Sequence, residues 1–126
     1  MIKFSKEKVL LLHKFIAQET GGSIGVRDEA LLESALEAAF AGFGDKEFYP
    51  TKEEKGARLG YTLISNHAFV DGNKRIGAMM TQLLLKWNGY QLRLSKGELA
   101  DMFIAIADGT AREKDLLVWL QQHTML

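Results

Sequence analysis

Apolar residues return at steps of three and four along most of the chain, the spacing that gathers them on one face of a helix. Leu32, Ala35, Leu36, Ala39, Phe40 and Phe43 form one such stripe. Gly56, Leu59, Gly60, Leu63, Ile64 and His67 form a second, and Ile76, Met79, Met80, Leu83, Leu84 and Trp87 a third. Leu99, Met102, Phe103 and Ile106 make a fourth. Shorter stripes at Val9, Leu12 and Ile16 and at Leu116, Leu117 and Leu120 bring the expected helices to about six. Helix starts are marked as well. Thr51 with Glu54, Ser95 with Glu98 and Thr110 with Glu113 have capping-box spacing, in which the hydroxyl takes a first-turn amide and the Glu reaches back. Asp28 stands where it caps the helix through Leu32, and Asn88-Gly89 and Asp108-Gly109 stop two helices. Only residues 90–94 alternate apolar and polar, a short extended piece. The aromatic connector Glu47-Phe48-Tyr49-Pro50 suits a small hairpin or flap. With no repeat, linker or low-complexity run, the pattern predicts an all-α fold in a single domain over residues 1–126.

The chain has 126 residues, enough to bury roughly two-thirds of its unfolded surface without covalent staples. With no cysteine, disulfides, thiolate metal sites and a thiol nucleophile are excluded. Three histidines, at 13, 67 and 123, share no metal-ligand spacing. His13 lies mid-helix and His123 near a terminus, both read as packed residues without matching partners. Sixteen cations balance sixteen anions, whereas phosphate neutralisation usually demands a basic surplus, so direct nucleic-acid binding is not expected. No apolar run approaches bilayer length, and the four straight apolar residues from Val9 to Leu12 are too few for a signal core. The expectation is a cytoplasmic protein with no membrane partner. Gly21-Gly22-Ser23-Ile24-Gly25 is glycine-rich, but without a preceding strand or a following Gly-Lys-Ser/Thr it reads as a helix connector rather than a phosphate loop. The Met79-Met80 pair reads as packing, and the charged residues 52–55 as a capped, solvated helix start.

One segment differs in kind. Residues 67–75, His-Ala-Phe-Val-Asp-Gly-Asn-Lys-Arg, form a polar loop between two strongly apolar helices. Gly72 and Asn73 stand where the next helix begins, and a helix N-terminus offers free N–H groups and a positive dipole end that favour a bound phosphate. Lys74 and Arg75 are electrostatically misplaced in a first turn unless an anion sits there. Asp71 either offsets these cations or holds a Mg²⁺ that bridges nucleotide phosphates. His67, four residues after Leu63, is either a packed histidine or a general base for an incoming hydroxyl, and the adjacent loop favours the base. Phe69 reads as a core anchor. Residues alone therefore point to a phosphate-bearing ligand and to phosphoryl or nucleotidyl transfer.

Residues 67–75 resemble the signature of the Fic/Doc family, whose general form is His-Pro-Phe-x-(Asp/Glu)-Gly-Asn-Gly-Arg-x-x-Arg, and in particular its death-on-curing (Doc) branch, which carries lysine at the second glycine as Lys74 does here. The likeness extends to Arg27-Asp28-Glu29 with Leu32-Glu33-Ser34-Ala35-Leu36, to Tyr49-Pro50 ahead of Glu54-Lys55, and to Asn88-Gly89-Tyr90, covering residues 25–109. It implies a compact helical bundle with a β-hairpin flap near residues 47–51, which pairs with the target's extended backbone through Phe48 and Tyr49. It makes His67 the general base on a target Ser or Thr and Asp71 the Mg²⁺ ligand. Gly72 and Asn73 become part of the anion loop, and Lys74 and Arg75 clamp the phosphates of ATP.

Lys74 in place of glycine, and Ala78 where adenylylating members carry a second arginine, imply transfer of the γ-phosphate rather than AMP. Ala68 replaces the common proline. For the Doc branch the implied target is elongation factor Tu, with arrest of translation as the outcome. The Ser/Thr-x-x-x-Glu-Gly/Asn inhibitory run of many Fic proteins is missing, since Ser34 is followed by Ala38 and Thr51 by Lys55 at the fourth position. Inhibition is thus expected in trans, from a cognate antitoxin whose tail folds into a groove. Three rivals stand beside this: a Fic-type AMP transferase, a non-catalytic interaction or repressor module, and a degenerate family member with no activity.

Overall fold

A computed structural model describes residues 5–22, 25–66, 69–89, 91–92 and 96–125. Among them are six helices: α1 (Lys6–Thr20), α2 (Glu29–Ala38), α3 (Lys52–Asn66), α4 (Asn73–Trp87), α5 (Lys96–Asp108) and α6 (Glu113–His123). Two small antiparallel pairs accompany them. The first joins β1 (Gly42–Phe43) to β2 (Lys46–Glu47), and the second joins β3 (Gln91–Leu92) to β4 (Thr124–Met125). The fold is all-α, as the periodicity predicts.

Local chemistry explains most of the boundaries. Ser5 accepts from Lys8 N and opens α1. Asp28 accepts from the amides of Ala30 and Leu31 and opens α2. At α3 the capping box is complete in both directions: Glu54 N donates to Thr51 Oγ1 at 3.1 Å, and Thr51 N to Glu54 Oε1 at 3.3 Å. The box expected at Thr110 does not form. There, Arg112 N donates to Asp115 Oδ2 at 2.8 Å, so α6 begins at Glu113. Thr110 instead closes the end of α5, its hydroxyl bonding Asp108 Oδ1 and the Ala105 carbonyl. Asp108 is close enough in sequence to take that hydroxyl first, and Glu113 is engaged by Arg58 at 2.7 Å. The box at Ser95 lies outside the described residues.

α3 and α4 form the central pair and share the largest interface. Gly60 makes their approach possible, because a Cβ there would run into Thr81 Oγ1. Thr81 is itself buried and bonds the Gly77 carbonyl at 2.8 Å. On one side of this pair, α1 and α2 enclose Val9, Ile16, Leu32, Leu36, Leu59, Leu63, Phe69, Ile76, Met80 and Leu84. On the other, α5 and α6 enclose Ala57, Ile64, Leu85, Phe103, Ile106, Leu116 and Leu120. The Leu32 stripe stops short of its expected end, because α2 closes at Ala38 and Phe43 stands on β1, 83% exposed.

The hairpin lies earlier than expected. Its strands are residues 42–43 and 46–47 rather than 47–51, because Gly44-Asp45 supplies the turn, and the aromatic pair follows it. Phe48 N still donates to the Ala41 carbonyl at 2.9 Å, extending the ladder by one bond. The solvated reading of residues 52–55 also needs correction at its last position. Lys55 is fully buried, with Nζ on Glu47 Oε1 at 3.0 Å, on the Tyr49 carbonyl, and 5.5 Å from the Phe40 ring centroid. Helical geometry turns the fourth charged position inward, where the hairpin supplies its counter-charge.

Candidate active site

The polar loop between α3 and α4 is braced from four directions. Asn73 Nδ2 donates to the Phe69 carbonyl at 3.0 Å while its Oδ1 accepts from Phe69 N at 3.1 Å, closing the loop on itself. Val70 N donates to the Gly25 carbonyl at 3.0 Å, beside an isolated antiparallel bridge between Val26 and Phe69. From below, the buried Phe69 ring stacks on His13 with centroids 3.7 Å apart and planes 10° from parallel. His13 Nε2 lies 2.6 Å from the Asp71 carbonyl. Arg27 Nη2 donates to the Asn66 carbonyl at 2.9 Å, tying the connector before α2 to the last turn of α3.

This bracing leaves the start of α4 shaped for an anion. Gly72 is its N-cap at φ 77°, a left-handed conformation that a side chain resists, and it supplies no side-chain cap. The first turn carries no acid, and Lys74 and Arg75 are both exposed there. Free first-turn amides, the helix dipole and two full positive charges thus lie together at the start of α4. They border an open groove of about 360 Å³, lined by residues 70–75 with Ile64 and Ala107 opposite. At its rim Asp108 has its carboxyl held below the usual range, first by the Thr110 hydroxyl and amide and then by the Lys74 charge. Arg75 Nη1 sits 3.5 Å from Thr20 Oγ1, at the limit of a hydrogen bond.

Asp71 belongs to this cluster, and its Oδ1 accepts from Gly72 N at 2.8 Å. Among the described residues no three His, Asp or Glu side chains converge as a metal cage. One carboxylate beside an anion site fits a Mg²⁺ that arrives with nucleotide phosphates, since that ion takes one or two carboxylates and fills its shell with phosphate oxygens and water.

Of the residues expected at the site, Asp71, Gly72, Asn73, Lys74 and Arg75 are brought together. Asn73 has its side chain committed to the loop, leaving its backbone to the anion site. His67 lies outside the described residues, as does Ala68. Phe48 and Tyr49 line a different groove, of about 340 Å³, with Glu54, Glu113 and Lys114. The Tyr49 ring there is 5.6 Å from the Arg58 guanidinium. His13 is the residue that sequence reasoning missed: its partner lies 58 positions away. A titratable ring on the Val9–Ile16 face was the available signal. His123 has partners too, the Trp119 carbonyl at 2.8 Å and Glu98 Oε2 at 3.3 Å.

Comparison with known proteins places the sequence. A model of the Fic/DOC family matches residues 3–85, more than half of the chain, and the chain belongs to that family. Over 72 residues it is 40% identical to a protein of Mycolicibacterium smegmatis named Toxin Doc. That match covers 57% of this chain and spans about half, 55%, of the relative. Among the described residues no helix is long and apolar enough to cross a membrane.

Proposed function

We propose that this protein is a Doc-type toxin that moves the γ-phosphate of ATP onto a Ser or Thr hydroxyl of a target protein, elongation factor Tu, and thereby arrests translation. The observation that carries the reading is the uncapped, acid-free start of α4, where Gly72, Lys74 and Arg75 face an open groove beside Asp71. Its first-turn amides and two cations fit the phosphates of ATP, and Asp71 would hold the accompanying Mg²⁺, whose charge offsets that of the phosphate oxygens. His67 would accept the proton of the target hydroxyl. The hydroxyl oxygen then bonds the γ-phosphorus as the bond to the β,γ-bridging oxygen breaks, and ADP leaves. Such catalysis consists mostly of positioning and charge stabilisation, which suits a loop braced as this one is.

Lys74 and Ala78, which stand in place of the glycine and second arginine of adenylylating members, favour phosphoryl over AMP transfer. The name of the M. smegmatis relative supports a toxin role, and with it neutralisation by a cognate antitoxin in the cytoplasm. The test is the intact mass of elongation factor Tu after incubation with this protein, ATP and Mg²⁺. A gain of one phosphate, lost with His67→Ala, is expected. A gain of AMP would make the protein an AMP transferase, and an unchanged mass would sink the target assignment. Expression without any antitoxin should arrest growth, and normal growth would remove the toxin reading.

A further inference from the structure

The buried imidazole of His13 does something that a space-filling side chain does not. It is 2% exposed, and burying a polar ring is unfavourable unless its nitrogens are satisfied. Its Nε2 meets a carbonyl oxygen at 2.6 Å. A carbonyl only accepts, so Nε2 carries the hydrogen. That carbonyl belongs to Asp71, and in the planar trans peptide joining Asp71 to Gly72 the C=O and N–H point in opposite directions. Holding the oxygen therefore aims the Gly72 N–H, which reaches Asp71 Oδ1 at 2.8 Å. One peptide plane thus links α1 to the Asp71 carboxylate.

The end of α1 contributes a second constraint. A Cβ on Gly22 would lie 2.7 Å from Asp71 Oδ2, so that carboxylate oxygen occupies space that only glycine leaves open. A Cβ on Gly72 would come to 3.4 Å from His13 Nε2, so the loop backbone itself rests on the ring. The Phe69 stack fixes the plane of that ring.

We infer that His13 is a positioning residue for the loop at Asp71–Gly72 that opens α4, its Nε2–H setting the Asp71 carbonyl while Gly22 leaves room for the Asp71 carboxylate. The inference rests on the reading of that loop as the nucleotide site for its catalytic consequence, but not for its structural one. His13→Phe keeps an aromatic ring on Phe69 and loses the donor, while His13→Gln keeps an N–H donor of similar reach and loses the ring. Amide hydrogen exchange on the full chain without ligand gives the structural readout. In His13→Phe the Gly72 and Val70 amides should exchange about ten-fold faster while Leu63 and Leu84 keep wild-type protection, the signature of one lost hydrogen bond in a locally opening segment. His13→Gln should stay within about three-fold of wild type.

Gly22→Ala, at a turn outside the core, should speed Gly72 exchange with the melting temperature unchanged. Phosphoryl transfer by His13→Phe should fall about ten- to hundred-fold in kcat with KM for the protein target unchanged. Wild-type loop protection in both His13→Phe and Gly22→Ala would overturn the inference. So would equal acceleration of loop and core amides in both His13 variants, since that is loss of packing alone. Wild-type protein that transfers no phosphate would remove the reading of the site, while the exchange data would still decide the role of His13.

Discussion

Asn73 shows how a residue can stand in a candidate site while its side chain serves the loop. Its amide makes both bonds that close the loop on Phe69, while its backbone begins α4. Asn73→Ala should cost about 1–3 kcal/mol in urea unfolding, because two buried backbone groups of Phe69 lose their partner. Asn73→Asp separates two effects. A carboxylate still accepts from Phe69 N and suits a helix N-terminus but sets an oxygen against the Phe69 carbonyl, so stability should return only in part. On the proposed reading it also repels phosphate, so phosphoryl transfer should stay at the level of the Ala variant. Recovery of both together would mean that the loop's shape alone limits the rate. Lys55 offers a contrast, since its buried ammonium joins the hairpin to α3. Lys55→Met should destabilise by about 1–3 kcal/mol, because Glu47 can turn to water but the Tyr49 carbonyl is left without a donor. A neutral or positive change in unfolding free energy would make that network dispensable.

At the scale of elements, the crossing of α3 and α4 holds both ends of the loop, and its closeness depends on small residues. Gly60→Ala gains helix propensity of about 1 kcal/mol, but it drives Cβ into Thr81 Oγ1, with Phe103 Cε1 at 3.3 Å behind. A net loss of about 1–3 kcal/mol is expected from overpacking. Thr81→Ala removes the obstructing hydroxyl, so the double variant should be more stable than the sum of the single changes by about 1 kcal/mol or more. Strict additivity in a double-mutant cycle would show that the two positions do not meet. The glycines stood out on the α3 stripe in the sequence, but which residue they admit depends on the crossing and is invisible to periodicity. Capping was similarly legible only in part. Thr51 and Glu54 pair as their spacing predicts, whereas Thr110 turns back to Asp108 because a nearer acceptor competes for its hydroxyl.

For the molecule as a whole, α3 and α4 supply residues to both apolar clusters, so neither cluster has a layer of its own. Leu32→Ala in one and Leu116→Ala in the other, both fully buried, should each cost about 2–5 kcal/mol and leave a single unfolding transition. Two resolved transitions in either variant, followed by far- and near-ultraviolet circular dichroism, would contradict that coupling.

The order of helices, most of their ends and the polar loop between two apolar helices were all present in the chain as periodicity and capping chemistry, because those depend on neighbours within four residues. The concentration of Asp71, Gly72, Lys74 and Arg75 at a helix start was equally local. The partners of His13 and Lys55, the placing of Phe48 and Tyr49 in a groove apart from the loop, and the shift of the hairpin to residues 42–47 were decided by tertiary structure. A histidine's or lysine's role is set by whichever atoms the fold brings within about 3 Å of it, and for His13 those atoms lie on the far side of two intervening helices in the chain.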